Sequence, residues 1–108
     1  MKMLTKANRK ALLPFYTNEE KPLSEAMAVV KYFTPDSNWT WYASEGEPVI
    51  DDAGNEIDFR FFGLVDGFEK ELGYFLLSEL KSGRGPYGLS VERDMHFSPK
   101  SLEELLKT

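Results

Sequence analysis

Between Ala28 and Leu77 the chain switches repeatedly from two-residue alternation of β-branched and aromatic side chains to short clusters of turn-forming residues. That rhythm admits few folds, because successive strands joined by links of a few residues pair most readily as antiparallel neighbours. Val29, Lys31 and Phe33 alternate with Val30, Tyr32 and Thr34, which predicts a first strand from Ala28. Pro35-Asp36-Ser37-Asn38 then supplies a turn, with Pro preset for its first central position and three side chains able to bond locally. A second strand is predicted from Trp39 to about Glu45, a third over Asp58 to Val65 and a fourth over Glu71 to Leu77. Asp66-Gly67-Phe68-Glu69 turns the third into the fourth. Between the second and third strands, Asp51-Asp52-Ala53-Gly54-Asn55-Glu56 reads as a hairpin tip between short arms at residues 48–50 and 57–58.

Helices are expected at the two ends. Thr5 is placed to cap a helix running through Leu13, and Pro14 ends it by barring the α region at the residue before it. Residues 17–27 read as an irregular linker. Ser78 is placed to cap a helical turn, Gly83-Arg84-Gly85-Pro86-Tyr87-Gly88 breaks all periodicity as an ordered turn, and Val91 to Phe97 adds an edge strand. Leu102, Leu105 and Leu106 share one face of a short C-terminal helix. The expected fold is therefore α+β: one domain over residues 1–108, with an antiparallel meander of four to five strands and a helix at each end. A chain of 108 residues suits that count, since one core already removes roughly two-thirds of the unfolded surface from water.

The stretch Trp39-Thr40-Trp41-Tyr42-Ala43-Ser44-Glu45 carries both tryptophans. Strict alternation puts Trp39, Trp41 and Ala43 on one face and Thr40, Tyr42 and Ser44 on the other. Phe59 and Phe61, with Leu72, Tyr74 and Leu76, are the expected partners of the tryptophans in a core that buries Trp41. The opposite face then carries Tyr32, Tyr42, Phe62, Leu64 and Phe75, too apolar to meet solvent. The C-terminal helix, the loop in the 80s or a second copy of the chain is expected to cover it.

Charge is unevenly spread behind the net value of −5. Residues 1–35 hold six basic and three acidic side chains, residues 36–79 two and eleven, and residues 80–108 five and four. The acidic middle is not suited to a nucleic-acid backbone, whose affinity comes largely from Lys and Arg on phosphates. A basic protein surface is the expected partner instead. Contact with it is assigned to Glu45, Glu47, Asp51, Asp52, Glu56 and Glu69, with Arg84, Arg93 and Asp94 nearby. Arg84 or Arg93 is expected to pair with a carboxylate such as Glu79 or Asp94.

Catalytic signals are weak. There is no cysteine, so neither a disulfide framework nor a thiolate site exists, and His96 is the one histidine. No phosphate-binding or dinucleotide motif appears, since the GRGPYG glycines lack the strand-to-helix context. No cofactor and no metal site is expected. The alternative to a binding protein is a small enzyme working through paired carboxylates or a bound metal, with Glu45, Arg93 and Asp94 at its site. Absence of cysteine, of a leader-like apolar run and of a membrane-length apolar span leads us to expect a cytoplasmic protein, not membrane-bound, acting as a monomer or weak homodimer.

The strings VKYFTPDSNWTWYASE, FFGLVDGFEKELGYFLLSEL and RGPYGLSVERDMHF resemble the bacterial family known as domain of unknown function 2958, from about Leu13 to Pro99. The acidic stretch GEPVIDDAGNEI departs from the family pattern. The resemblance implies no activity, substrate or catalytic residue. It does imply an accessory role on plasmids, phages and other mobile elements, such as countering or tuning host defence.

Overall fold

The structure, a computed structural model, describes residues 2–108. The elements run α1 (Lys6–Ala11), β1 (Met27–Ala28), β2 (Val30–Phe33), β3 (Thr40–Ile50), β4 (Glu56–Asp66), β5 (Lys70–Leu76), α2 (Leu77–Ser82), β6 (Glu92–Arg93), β7 (Lys100–Ser101) and α3 (Leu102–Lys107). Five strands form one antiparallel sheet in the order β5-β4-β3-β2-β6, so the expected meander is present and β6 extends it beyond β2. The fold is α+β, as the alternation indicated.

Several boundaries differ from the expectation: α1 ends at Ala11 and the edge strand is only Glu92–Arg93, and two further differences have a local reason. The residues assigned to short arms at 48–50 and 57–58 are continuous with the long strands, giving β3 and β4 eleven residues each. Their tip is closed by Asp51, whose carboxylate accepts from the Ala53 and Asn55 backbone N–H groups. The first predicted strand is split at Val29. There the backbone N–H bonds to the Ala43 carbonyl, while Met27 and Ala28 pair with Ser101 and Lys100 of β7 in a separate two-stranded sheet.

Both faces of the main sheet are covered. On one, Val30, Tyr32, Ala43, Phe59, Phe61 and Phe75 pack under Leu4, Leu12, Leu77, Leu80 and Val91. On the other, Leu64 packs with Ala26, Ala28, Leu102 and Leu105, with Tyr42 and Phe97 alongside. The C-terminal helix thus covers the second face within this chain. Several side chains lie on the face opposite to that expected. Tyr32 is opposite Trp41 and Phe75 opposite Phe61, so both belong with the tryptophan, whereas Leu72 and Tyr74 lie opposite Leu64 and Phe62. Register between strands decides this, and alternation within one strand does not contain it.

The helices are placed by their ends. Thr5 and Asn8 form a reciprocal cap on α1, and Leu12 already has extended backbone. Helix α2 starts at Leu77, with the Glu79 side chain accepting the Leu76 N–H. Ser78 donates both its N–H and its hydroxyl to Asp58 on β4, which ties α2 to the sheet. Helix α3 is capped by Ser101, and Lys70 at the start of β5 donates to the carbonyls of Leu105 and Thr108 at its far end. No described helix is long and apolar enough to cross a membrane.

Phe61 is fully buried, while Trp41 is only partly buried at the margin of the same core. The tryptophan pair, rings 6.0 Å apart, is an edge of the core and not its centre. Phe61→Ala should therefore cost about 3–5 kcal/mol, and Trp41→Ala clearly less, when both are compared by urea denaturation.

Asp58 gives a second expectation. Burial pushes its carboxyl up from the usual 3.8, but the Ser78 hydroxyl, the Phe59 and Ser78 N–H groups and Lys81 together bring it below that value. A folded-state pKa below the unfolded one stabilises above the unfolded value and is lost as pH falls through the folded one. Asp58→Asn should flatten the loss of stability as pH falls below about 4, followed as urea midpoint against pH.

Candidate binding cleft beside the acidic hairpin

Ser44 is an extra residue in β3. Ala43 pairs with Gly63 and Glu45 with the adjacent Phe62, so the ladder carries a β-bulge between them. Bulges re-aim the side chains that follow. Strict alternation would send Glu45 to the tryptophan side; after the bulge it points to the face of Phe62 and Tyr42. The close approach opposite the bulge needs a glycine, because a Cβ on Gly63 would lie 1.8 Å from the Tyr42 carbonyl oxygen.

Glu45 is only 4% exposed and makes no ion pair among the described residues. Its Oε1 accepts the Tyr16 backbone N–H at 3.0 Å and its Oε2 the Asn18 N–H at 2.8 Å. Two residues on, Glu47 accepts the Phe15 N–H at 2.8 Å. Two carboxylates therefore fold the segment after Pro14 against the sheet, helped by a bridge between Leu13 and Glu45. Within it Tyr16 has φ of 69°, a left-handed conformation that a bulky residue keeps only where its surroundings impose it.

The folded segment closes a cavity of about 300 Å³ against the second face of the sheet. It is lined by the apolar Phe62, Leu72 and Leu102, by Glu45 and Asn18, and by Tyr16 and Tyr74. Phe62 and Tyr74 meet edge-on with centroids 5.1 Å apart, and the Arg60 guanidinium lies 4.2 Å over the Tyr74 ring. The Tyr74 hydroxyl titrates above its usual 10.0, chiefly through hydrogen bonding with Tyr16, then through burial, with Arg60 acting in the opposite direction. Both atoms of the Asn18 side-chain amide are buried without a hydrogen-bonding partner among the described residues.

The other residues singled out in the sequence lie apart from this cleft. Asp51 holds the hairpin tip, Glu56 forms a two-pronged pair with Arg9, and Asp52 and Glu69 are exposed without a side-chain partner among the described residues. The Arg9 pair, with hydrogen bonding as the main cause, lowers the Glu56 carboxyl and raises the guanidinium. The expected pairing of Arg84 or Arg93 with a carboxylate is not found. Arg84 donates to the Lys81 and Gly83 carbonyls and Arg93 to the Lys2 carbonyl. Asp94 pairs with Lys31. The 83–88 loop is instead fixed by Asp36, which accepts from the Tyr87 and Leu89 N–H groups.

Arg93 and Asp94 line a separate depression with Lys31 and His96 at the β6 edge, so Glu45 is not brought together with them. No group of three or more His, Cys, Asp or Glu side chains among the described residues is placed to hold a metal ion. Tyr16, Asn18, Leu72 and Tyr74 were not legible as site residues. Asn18 and Tyr16 sit at or in a stretch without periodicity, and only the Tyr16 backbone marks it.

An antiparallel sheet clothed by helices on both faces, with a part-polar cleft at the edge of the second, describes a small α+β domain. The family model for "Protein of unknown function (DUF2958)" matches residues 3–106, and the chain belongs to that family. Neither the curated proteins nor the solved structures compared with the chain include a match.

Glu45→Ala leaves two backbone N–H groups without their acceptor, at a cost of about 1–3 kcal/mol. Hydrogen exchange should accelerate at Tyr16 and Asn18 well before the core amides of β3 and β4 respond.

Proposed function

We propose that the protein is a non-enzymatic accessory protein that works by binding a partner protein with a basic surface. The observation that carries this reading is the outer half of the β3–β4 hairpin. Beyond Ala43 and Arg60 neither strand has a further strand of the sheet beside it. This arm carries Glu47, Asp51, Asp52, Glu56 and Asp58, answered locally by Arg9 and Arg60. Among these acids Ile50 and Ile57 are 51% and 64% exposed, an apolar pair in a charged rim. Exposed apolar side chains ringed by one sign of charge suit a protein contact whose encounter is steered electrostatically. We read such a contact as serving a mobile genetic element, in countering or regulating a host function, a setting that the family resemblance suggests. A cytoplasmic site of action goes with that setting.

The arm variant that tests this keeps its internal geometry. Asp51→Asn retains an acceptor for the tip, Glu56→Gln retains one for Arg9, and Asp52→Lys reverses a free charge. Combined, they should leave the circular dichroism spectrum unchanged and alter stability by less than about 1 kcal/mol. In a pull-down from bacterial lysate read by mass spectrometry, the wild-type chain should retain a basic protein that raised salt releases. The variant should lose it. Capture that survives both the substitutions and high salt would remove the electrostatic reading.

A further inference from the structure

Strand β5 is the long open edge of the sheet. The opposite edge, β6, is two residues long, whereas β5 runs seven residues, Lys70–Leu76, in unbroken register with β4. Along residues 70–75 the main chain bonds only to β4 among the described residues, so the outward N–H and C=O groups have no partner there. Glu71, Leu72 and Tyr74 are exposed along the same stretch. Folded proteins blunt such an edge with a bulge, a proline, a free lysine or a cover, because an open one is a template for another strand. β5 has no bulge and no proline, and Lys70, its one basic residue, is turned to the carbonyls of Leu105 and Thr108.

Gly73 sits at the middle of this edge. A Cβ there would meet no atom within 4 Å, and its φ lies outside the left-handed region. Each of the other glycines either has a positive φ or lies where a Cβ would come within 3.2 Å of an atom. Glycine inside a strand is unfavourable, and it marks places where a bulge forms or another backbone comes close. There is no bulge at Gly73 and no described atom near the missing side chain. The approach it permits is from outside the chain.

An open strand edge accepts an extended strand, and β5 itself fits it. We propose that two copies of the chain join edge to edge through β5, doubling the five-stranded sheet about a two-fold axis at Gly73. All seven residues are then opposed: Gly73 to Gly73, Leu72 to Tyr74, Glu71 to Phe75 and Lys70 to Leu76. Leu72 and Tyr74, 41% and 43% exposed in the single chain, meet as a cross-strand pair on each side of the axis. No like charges lie directly opposite, and the two Glu71 carboxylates stand about 14 Å apart along the ladder, beyond the screening length of ~8 Å. An axis at residue 72 or 74 shortens the ladder, and one at Glu71 sets two carboxylates against each other. Because Arg60 pairs with Leu76, the axis at Gly73 sends the two acidic arms to opposite ends of the joined sheet, which keeps the net charge of −5 on each copy apart. Only the two-residue β6 edges are left open. The assembly is independent of the partner-binding reading and would present two arms where one copy presents one.

The chain has no cysteine, so Gly73→Cys supplies a single thiol. Directly opposite residues of an antiparallel pair have Cα atoms about 4.5–5.5 Å apart, a span a disulfide bridges. Mild oxidation should convert Gly73→Cys almost wholly to a covalent dimer, while Glu71→Cys, its thiols held apart by the register, cross-links far more slowly. Sedimentation velocity over a rising concentration series should show the wild-type chain passing from monomer to dimer. Gly73→Lys meets no atom of its own chain but places two ammonium groups opposite each other at the axis. It should shift that transition to about fivefold higher concentration or more, with its circular dichroism spectrum unchanged. A wild-type chain that stays monomeric at every concentration overturns the proposal. So does a folded Gly73→Lys that dimerises as the wild type does, or equal cross-linking through residues 71 and 73. The arm variant should dimerise like the wild type, which separates failure here from failure of the electrostatic reading.

Discussion

One buried carboxylate organises the functional face of this protein. Glu45 is held inside without a cationic partner among the described residues, and its oxygens accept backbone N–H groups instead. That is a sound solution in physical terms, since hydrogen bonds to an ionised acceptor are about twice as strong as neutral ones. It is available only because the Ser44 bulge turns Glu45 to the second face, and the bulge in turn needs the bare backbone of Gly63 opposite it. Remove any of the three and the 14–18 segment has no reason to lie where it does. The cleft, the left-handed Tyr16 and the buried Asn18 amide are all consequences of that arrangement.

The second face is finished by the C-terminus. Pairing of β1 with β7 delivers α3 onto Leu64, and the Leu102 N–H bonds to the Ala26 carbonyl. Lys70 then clamps the last carbonyls of α3, where a cation also opposes the helix dipole. A helix of six residues has little stability of its own. Its order comes from the apolar face it covers and from being tethered at both ends. Because Leu102 also lines the cleft, closure of the core and formation of the cleft are one event.

The strand pattern was legible because alternation, turn residues and short links all pointed to the same meander, and local signals that agree are the most dependable kind. What the alternation could not carry was the register between strands and the insertion of one residue within a strand. Tyr32 and Phe75 lie on the tryptophan side for the first reason, and Glu45 on the other side for the second. The acidic middle was visible as composition, yet its disposition was not. Asp36, Glu45, Glu47, Asp51 and Asp58 bind backbone N–H groups, a use of carboxylates that leaves no mark in a charge count. Glu45 was singled out from its position at a strand end, but for a surface or catalytic role beside Arg93 and Asp94, which lie at the other edge of the sheet.

That disposition changes how an acidic surface is expected to work. A carboxylate already holding an N–H retains its negative charge and therefore still contributes to the field, but it has fewer lone pairs left for a partner's donors. Field and contact are thus separable on this chain. The field of residues 36–79 reaches about one Debye length, ~8 Å at physiological ionic strength, and acts on encounter. It says little about which basic protein stays bound, because rim charges alter association rates more than lifetimes. Under the proposed reading, selection among basic partners falls to groups that are not charged, the exposed Ile50 and Ile57 on the arm. An acidic protein that relied on charge alone would bind most cationic surfaces it met. The exposed isoleucines are the feature that a merely cationic surface does not match, since only apolar surface on the partner removes them from water.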